Sequence, residues 1–381
     1  MAFPRHIIKD MANALMVSSS FLPGRGGIES YLAELCSELS PKVAVLAAAE
    51  RDGKPLPHDL PYPTTGFKGT MLWPSKAVAE AISRAAAEQH TDRVLFGTPW
   101  PLALLGPSLA QQGLRYAVIV HGAELLVPAA LPFVKARLSR ALRGADLLLP
   151  VSDFTADRVR SLTGKETPPI SLLRARVDLD RFNPGRRTDV RTALGLGKDA
   201  QIVLCFGRLV RRKGVHRLVK ALRLIEEQVP SVVLVIAGTG PQEKRLRKLA
   251  RGRSNIRFTG RVSDDDAPGL FAAADVFTLP VADRWFGLEI EGLGVVLLEA
   301  AACGTACVTG RSGGTPEAVL NGETGYVVDA TDETQLAGAI THLLQDPIER
   351  ERMGALGRMH VERSFSRTAL APNLLEWLDY S

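Results

Sequence analysis

The chain has 381 residues, of which 46% are hydrophobic and 23% charged, and a formal net charge of +6. That length is too great for one ordinary core and predicts two domains, and the composition is that of a folded soluble protein with no low-complexity tract or solenoid-type repeat. The basic surplus is modest and spread along the chain, which suits anionic ligands such as nucleotides, phosphates or acidic lipid and argues against a dedicated nucleic-acid arm.

In chain order, Lys9 and Asp10 interrupt any signal-peptide core near the start. No apolar run reaches the roughly 20 residues of a membrane span. A cytoplasmic location, or a peripheral one at the inner face of the plasma membrane, is the expectation. The first strand is expected near Ala14, with the preceding residues as a loose tail. Strand patterns then follow in "ALMVSS", "KVAVLAA", "RVLFG", "YAVIVHG" and "ADLLLPV". Amphipathic patterns such as "GIESYLAELCSEL" and "KAVAEAISRAAAEQ" stand between them and predict helices. This β-α-β rhythm means a parallel sheet with helices on both faces. The polar segment 178–200, with Pro184 and several glycines, reads as an interdomain linker. The rhythm restarts with "QIVLCFG", "SVVLVIAG", "NIRFTG", "ADVFTLP", "TACVTG" and "TGYVV". The fold class is therefore α/β, with two doubly wound domains in tandem. Ligands of such sheets bind outside the carboxyl ends of the strands.

Cys36, Cys205, Cys303 and Cys307 show no metal-ligand spacing with nearby histidines and read as buried free thiols.

Glycine-bearing loops close several strands: "LPGRGGIESYL" with Gly24, Gly26 and Gly27, "GTGPQEKRL", and "GRSGGTPEAV". A bare backbone at a helix start can approach a phosphate closely, although such a loop is as often only a tight turn. Neither nucleotide fingerprint is complete: Glu243 stands where a dinucleotide fold wants its third glycine, and no P-loop occurs. A dehydrogenase and a P-loop ATPase are disfavoured. In "FGRLVRRKGVHRL", Arg208 follows a strand and Lys213 precedes Gly214 at a helix start, where the pair could clamp a diphosphate. Arg211 and Arg212 fit a solvated basic turn. His121 ends a strand in "YAVIVHGAEL", and is either structural or part of a site.

The stretch "FGLEIEGLGVVLLEAAACG" carries Glu291 and Glu299 eight positions apart around the loop "GLGVV". Carboxylates accept from sugar hydroxyls, whereas a diphosphate wants backbone N–H donors and cations. Together with Arg208 and Lys213, this pattern describes a site for a sugar nucleotide.

At these residues the chain resembles the retaining glycosyltransferases of family 4, whose GT-B fold places two Rossmann-like domains facing across a cleft. The resemblance rests on the E-x₇-E spacing of Glu291 and Glu299, on "QIVLCFGRLVRRKG", "RSGGTPEAV", "VDLDRFNP" and "GGIESYLAEL", and covers nearly the whole chain from about Ala14. It implies an acceptor-side domain over residues 1–185 and a nucleotide-sugar domain over 186–365. It also implies a C-terminal helix in 366–381 that crosses back to the first domain. Within the family, "SFLPGRGGIESYL", "GTPWPLALL", "HGAEL" and "GLEIEGLGVVLLEA" look most like actinobacterial enzymes that mannosylate phosphatidylinositol mannosides from GDP-mannose. This implies a GDP-mannose donor, a glycolipid acceptor, contact with an anionic membrane, and neither a metal nor another cofactor.

Carried over by position, the resemblance puts Arg208 and Lys213 on the donor diphosphate, Glu299 on the ribose and Glu291 by the hydroxyls of the transferred sugar. It sets the amides of Gly292, Leu293, Gly294, Val295 and Val296 against sugar and phosphate, brings Gly26 and Gly27 towards the phosphates, and places His121 beside the transferred sugar. Ala123, Arg174, Arg176, Trp285 and Phe286 depart from the family pattern and bear on the acceptor more than on the reaction. A UDP-sugar donor, a non-lipid acceptor, and a non-catalytic nucleotide-binding module are the alternatives. For the membrane, "LPFVKARLSRALRG" spaces Leu131, Phe133, Val134, Leu138 and Leu142 among Lys135, Arg137, Arg140 and Arg143. It reads either as a basic amphipathic surface helix or as a scaffold helix with a solvated face. "KGTMLWPSKA" is a second candidate.

Overall fold

The structure, a computed structural model, describes residues 12–24, 26–197, 199–285, 287–366 and 370–379. The chain divides into two compact units, one drawn from Met1–Arg174 and Leu370–Ser381 and the other from Ala175–Ala369.

In the first unit the strands are β1 Ala14–Val17, β2 Val43–Ala48, the short hairpin β3 Glu50–Arg51 with β4 Lys54–Pro55, β5 Thr64–Phe67, β6 Arg93–Phe96, β7 Arg115–Val120 and β8 Leu147–Pro150. Six of them form a sheet in the order β5-β2-β1-β6-β7-β8, with every pairing parallel. Alternate residues of a strand point to opposite faces, and the core follows that alternation. Leu15 and Val17 of β1 with Ala44 and Leu46 of β2 pack on one face, against Val78, Ile82, Leu138 and Leu142 from the helices Lys76–Glu88 and Pro132–Arg143. Ala14, Met16, Val43 and Val45 pack on the other, against Leu32, Leu35, Cys36 and Leu39 of the helix Gly27–Leu39. Both faces are covered, so β2 reads as an unbroken apolar run rather than an alternating one.

The second unit repeats the plan with β9 Gln201–Phe206, β10 Val232–Ala237, β11 Ile256–Gly260, β12 Val276–Leu279, β13 Ala306–Gly310 and β14 Gly325–Val328. The sheet order is β11-β10-β9-β12-β13-β14, again all parallel. In each sheet the unit's first strand is central and the strand order reverses beside it, the arrangement that opens a crevice at the carboxyl ends. The helices Val215–Glu226 and Glu333–Gln345 cover one face through Leu218, Leu222, Ile225, Leu336, Ile340 and Leu343. The second helix is capped by Asp332, whose carboxylate accepts from the N–H groups of Thr334 and Gln335 at 2.9 and 3.1 Å.

The units divide between Arg174 and Ala175, so the polar segment 178–200 lies within the second unit. The segment from 178 is polar because its surface is solvated, yet it is packed onto the second unit. Arg181 Nη2 donates to the Asp264 carbonyl, Phe182 lies 6.0 Å from Phe271 between ring centroids, and Arg358 Nη1 donates to the Phe182 carbonyl at 3.3 Å.

The helix Pro372–Asp379 completes the first unit's core, with Leu374, Trp377 and Leu378 buried against the face formed by Ala14 and Met16. Trp377 Nε1 donates to Asp146 Oδ2 at 3.2 Å, and Asn13 Nδ2 donates to the Leu378 carbonyl at 3.1 Å. Trp377→Ala is expected to cost about 3–5 kcal/mol through the cavity it leaves. Urea denaturation of the full chain checks this, and a loss of about 1 kcal/mol or less would show that the helix adds little to that core.

Candidate active site

The loops that leave the second sheet meet backbone to backbone. Gly214 has φ +70, and a Cβ there would lie 1.8 Å from the Pro280 carbonyl oxygen, just after β12. Gly313 has φ +53, and its Cβ would lie 1.8 Å from the Glu291 carbonyl oxygen. Only glycine allows either approach. The loop after β9 is thereby pressed onto the loop after β12, and the latter onto the loop after β13.

Glu291 sits where these loops meet. Its side chain is 10% exposed, its Oε2 lies 2.9 Å from Lys213 Nζ, and it also accepts from Arg212 Nη1. A one-turn 3₁₀ segment, Arg211–Lys213, carries both cations to it. Burial pushes the Glu291 carboxyl up, but Lys213 and Arg212 outweigh burial and hold it below its ordinary value. The Glu291 N–H donates to Ser312 Oγ at 2.9 Å, and Ser312 Oγ donates to Asp283 Oδ1 at 2.6 Å. This side-chain relay ties the two ends of the segment 283–291 together.

Beyond Glu291 the chain runs through Gly292 and Leu293 to Gly294, which precedes the helix Val295–Ala302 at φ +80. Among the described residues no side chain caps that helix, so its first N–H groups, including those of Val295 and Val296, are presented as donors. Glu299 lies in the second turn of the same helix, half-buried. The E-x₇-E spacing therefore places one carboxylate before a bare helix N-terminus and one after it. Arg208, just past β9, is exposed and has no side-chain partner among the described residues.

The sequence reading is corrected at Arg212. It is not part of a solvated turn: its side chain is 31% exposed and its guanidinium is committed to Glu291. A run of three basic residues gives no sign of which one faces inward; the 3₁₀ turn decides that.

In the first unit, His121 follows β7 and is 9% exposed. Its Nε2 lies 3.0 Å from the Gly97 carbonyl oxygen, which can only accept, so Nε2 carries the proton. Burial lowers its pKa against the opposing pull of Glu124, the Gly97 carbonyl and Glu29. The imidazole is thus neutral near pH 7, with Nδ1 available as an acceptor. Tyr31 packs edge-on to it at 5.4 Å. Gly26 precedes the helix Gly27–Leu39 in an extended conformation, facing the Glu29 carboxylate, which pairs with Arg51 at 3.2 Å. Gly27 opens onto empty space.

The four cysteines are buried and free, with burial driving each thiol pKa up. Arg174 pairs with Asp153 at 2.5 Å, and Arg176 is buried. Phe286 lies outside the described residues. Among the described residues no three His, Cys, Asp or Glu side chains group as a metal site.

Comparison with known proteins gives this arrangement a context. Residues 25–181 match the model of Glycosyltransferase Family 4, and residues 186–360 match that of Glycosyl transferases group 1. A GDP-mannose-dependent alpha-(1-6)-phosphatidylinositol monomannoside mannosyltransferase of Mycolicibacterium smegmatis is 38% identical, over 90% of this chain and 92% of that one. The chain belongs to glycosyltransferase family 4. A related Corynebacterium glutamicum enzyme, named for the monoacylated form of that acceptor, is 36% identical over 92% of this glycosyltransferase and 94% of its own length. Among solved structures, sucrose-phosphate synthase from Thermosynechococcus elongatus superposes with a TM-score of 0.80 at 23% identity, covering 95% of this chain and 97% of that one. Anabaena HepE in complex with UDP does so with a TM-score of 0.80 at 20% identity, covering 96% and 99%. The glycosyltransferase has the GT-B fold, with a six-stranded Rossmann-like sheet in each unit.

Removing both cations at Glu291 tests what sets its charge. In the native protein the depressed pKa stabilises the fold above the ordinary carboxylate value, and that stabilisation fades as pH falls through the folded-state pKa. In an Arg212→Met/Lys213→Met variant burial acts alone and raises the pKa. Ionised Glu291 then destabilises the fold by about 3–5 kcal/mol, and acidification restores stability. In denaturation midpoints followed from neutrality down to the ordinary carboxylate value, the Glu291 contribution should stay flat in the native protein and rise on acidification in the variant, and below that value the native protein should lose it. Parallel slopes would mean that other groups set the charge of Glu291.

Proposed function

We propose that this glycosyltransferase moves mannose from GDP-mannose, with retention, to a hydroxyl of a phosphatidylinositol mannoside. The observation that carries the reading is the buried Glu291–Lys213 pair beside an uncapped helix N-terminus. It unites a carboxylate for sugar hydroxyls with N–H donors and a cation for phosphate, in a chain with two 36–38% identical relatives named for this donor and acceptor class.

As the glycosidic bond breaks, negative charge grows on the leaving diphosphate and the anomeric carbon becomes oxocarbenium-like. Arg208, which has no side-chain partner among the described residues, Lys213 and the amides of Val295 and Val296 stabilise that charge electrostatically. Glu291 accepts from hydroxyls of the transferred sugar while Arg212 keeps it ionised, so Lys213 is free to turn towards the diphosphate. A carboxylate held by two cations is a poor nucleophile, and no covalent glycosyl intermediate is assigned to it. Glu299 receives the ribose hydroxyls. His121, with Nε2–H committed to Gly97, keeps Nδ1 as an acceptor. These cations and amides do the work that a bound metal does in other transferases.

Donor identity is read by thermal shift, because a ligand that binds only the folded state raises Tm. A rise with GDP and GDP-mannose, and none with UDP, UDP-glucose, ATP or NADH, is expected. A rise with UDP compounds alone would discard mannose transfer.

No helix of the described residues is long and apolar enough to cross a membrane. A glycolipid acceptor therefore implies docking, and the first unit has surfaces for it. Leu138 and Leu142 of the helix Pro132–Arg143 are spent in the core, but Leu131 and Phe133 are 55% and 71% exposed beside Lys135, Arg137 and Arg140. Met71 and Trp73 are likewise exposed near Lys68 and Lys76. Such apolar tips with basic flanks insert into anionic interfaces. Cosedimentation with phosphatidylserine vesicles at low salt is expected for the native protein and is expected to weaken about tenfold in Phe133→Ser/Arg137→Glu. Equal binding by both proteins would remove this surface from the model of docking.

A further inference from the structure

One exposed aromatic residue has no place in the scheme above. Trp285 is 67% exposed, on the segment that joins β12 to the helix Val295–Ala302. Its backbone lies at φ +50, a conformation that bulky residues rarely adopt. Three contacts hold it there. Arg284 and Glu289 form an isolated antiparallel bridge, with the Arg284 N–H donating to the Glu289 carbonyl at 3.0 Å and the return bond at 3.2 Å. Arg284 Nη1 pairs with Glu289 Oε2 at 2.5 Å. The Arg284 guanidinium lies 5.0 Å from the Trp285 ring centroid, covering one face of the indole. The residue is otherwise largely exposed, and the opposite face has no partner among the described residues.

The small hairpin stands on the site. Its base is Asp283 on one side and Glu291 on the other, and both are bonded to Ser312. Glu289 is two residues from Glu291, a reach of at most about 7 Å along the chain. An isolated surface tryptophan is unremarkable, but this one is fixed by an ion pair, a bridge and a stacked cation next to the carboxylate assigned to the transferred sugar.

We propose that the free face of Trp285 is a stacking platform for the sugar ring of the acceptor, and so helps to set acceptor specificity. The acceptor hydroxyl must come within about 3.5 Å of the anomeric carbon, so its ring lies beside the transferred sugar. A pyranose or cyclitol ring presents a face of C–H bonds, whose partial positive charge matches the negative face of an indole. Arg284 on the opposite face holds the indole without competing for that surface. The backbone strain at Trp285 is the kind that persists at ligand clamps. This inference rests on the transferase reading above.

The test compares native enzyme with Trp285→Ala and Trp285→Phe, using GDP-mannose and a short-chain, water-soluble phosphatidylinositol monomannoside. In Trp285→Ala the acceptor KM is expected to rise about tenfold or more, while the donor KM and the slow hydrolysis of donor without acceptor stay unchanged. Trp285→Phe is expected to recover most of the loss. An unchanged acceptor KM overturns the proposal. So does a defect seen only on vesicles and matched by weaker vesicle binding, which would make Trp285 a bilayer contact. A raised donor KM overturns it too. A second readout does not need turnover: adding mannosyl-inositol to the GDP-loaded protein should shift tryptophan emission in native enzyme and not in Trp285→Phe. If native enzyme fails to turn over but shows this shift, the donor assignment falls and the platform stands. If the shift is absent from native enzyme, the platform falls.

Discussion

Charge balance at Glu291 is the constraint on which the second unit's site depends. A carboxylate that is 10% exposed would be strongly disfavoured as an ion without partners. Arg212 and Lys213 supply them, and to do so the loop after β9 must form its 3₁₀ turn and press against the loop after β12. The Glu291 main chain is fixed as well, through Ser312 on one side and Gly313 on the other. One ion pair thus ties together the loops from β9, β12 and β13. The amides at the start of the helix Val295–Ala302 follow directly, because Gly294 lies only three residues beyond Glu291.

Under the proposed reading, that arrangement also lets the site wait for an anionic ligand without collapsing. Cations meant for phosphate repel each other when no phosphate is bound. Here the buried carboxylate lies between two of them and offsets one unit of their charge, and Arg208 is exposed to solvent. A diphosphate that replaces part of this balance meets groups already in position, which is the condition for electrostatic catalysis.

Much of this was legible in the sequence, and the exceptions have physical causes. The helix patterns "GIESYLAELCSEL" and "KAVAEAISRAAAEQ" correspond to Gly27–Leu39 and Lys76–Glu88, because a buried stripe at helical spacing is a strong signal. Buried parallel strands were equally plain. The edge strand Thr64–Phe67 was not, since "TTGF" is short and only half covered. The hairpin Glu50–Arg51 with Lys54–Pro55 is too short and polar to announce itself. In the candidate site, the spacing of Glu291 and Glu299 drew attention to the loop that the structure pairs with Lys213, which the sequence marked by the glycine after it. Arg212 was missed because burial of one cation within a basic run depends on a tertiary partner seventy-nine positions away. Trp285 stood out only as a bulky departure; its fixed orientation comes from a bridge that no periodicity encodes.

The return of residues 370–379 to the first unit has a consequence for synthesis. As the chain leaves the ribosome, the first sheet can assemble early, but the face lined by Ala14 and Met16, covered in part by the helix Gly27–Leu39, lacks the rest of its cover until Leu374, Trp377 and Leu378 emerge. The whole second unit is made in the interval. During that time the nascent first unit carries an apolar face that neighbouring chains or chaperones can engage. Folding order in this protein is therefore not simply amino-terminal first. The second unit, whose segment is uninterrupted, can close its core while the first is still waiting for its last helix.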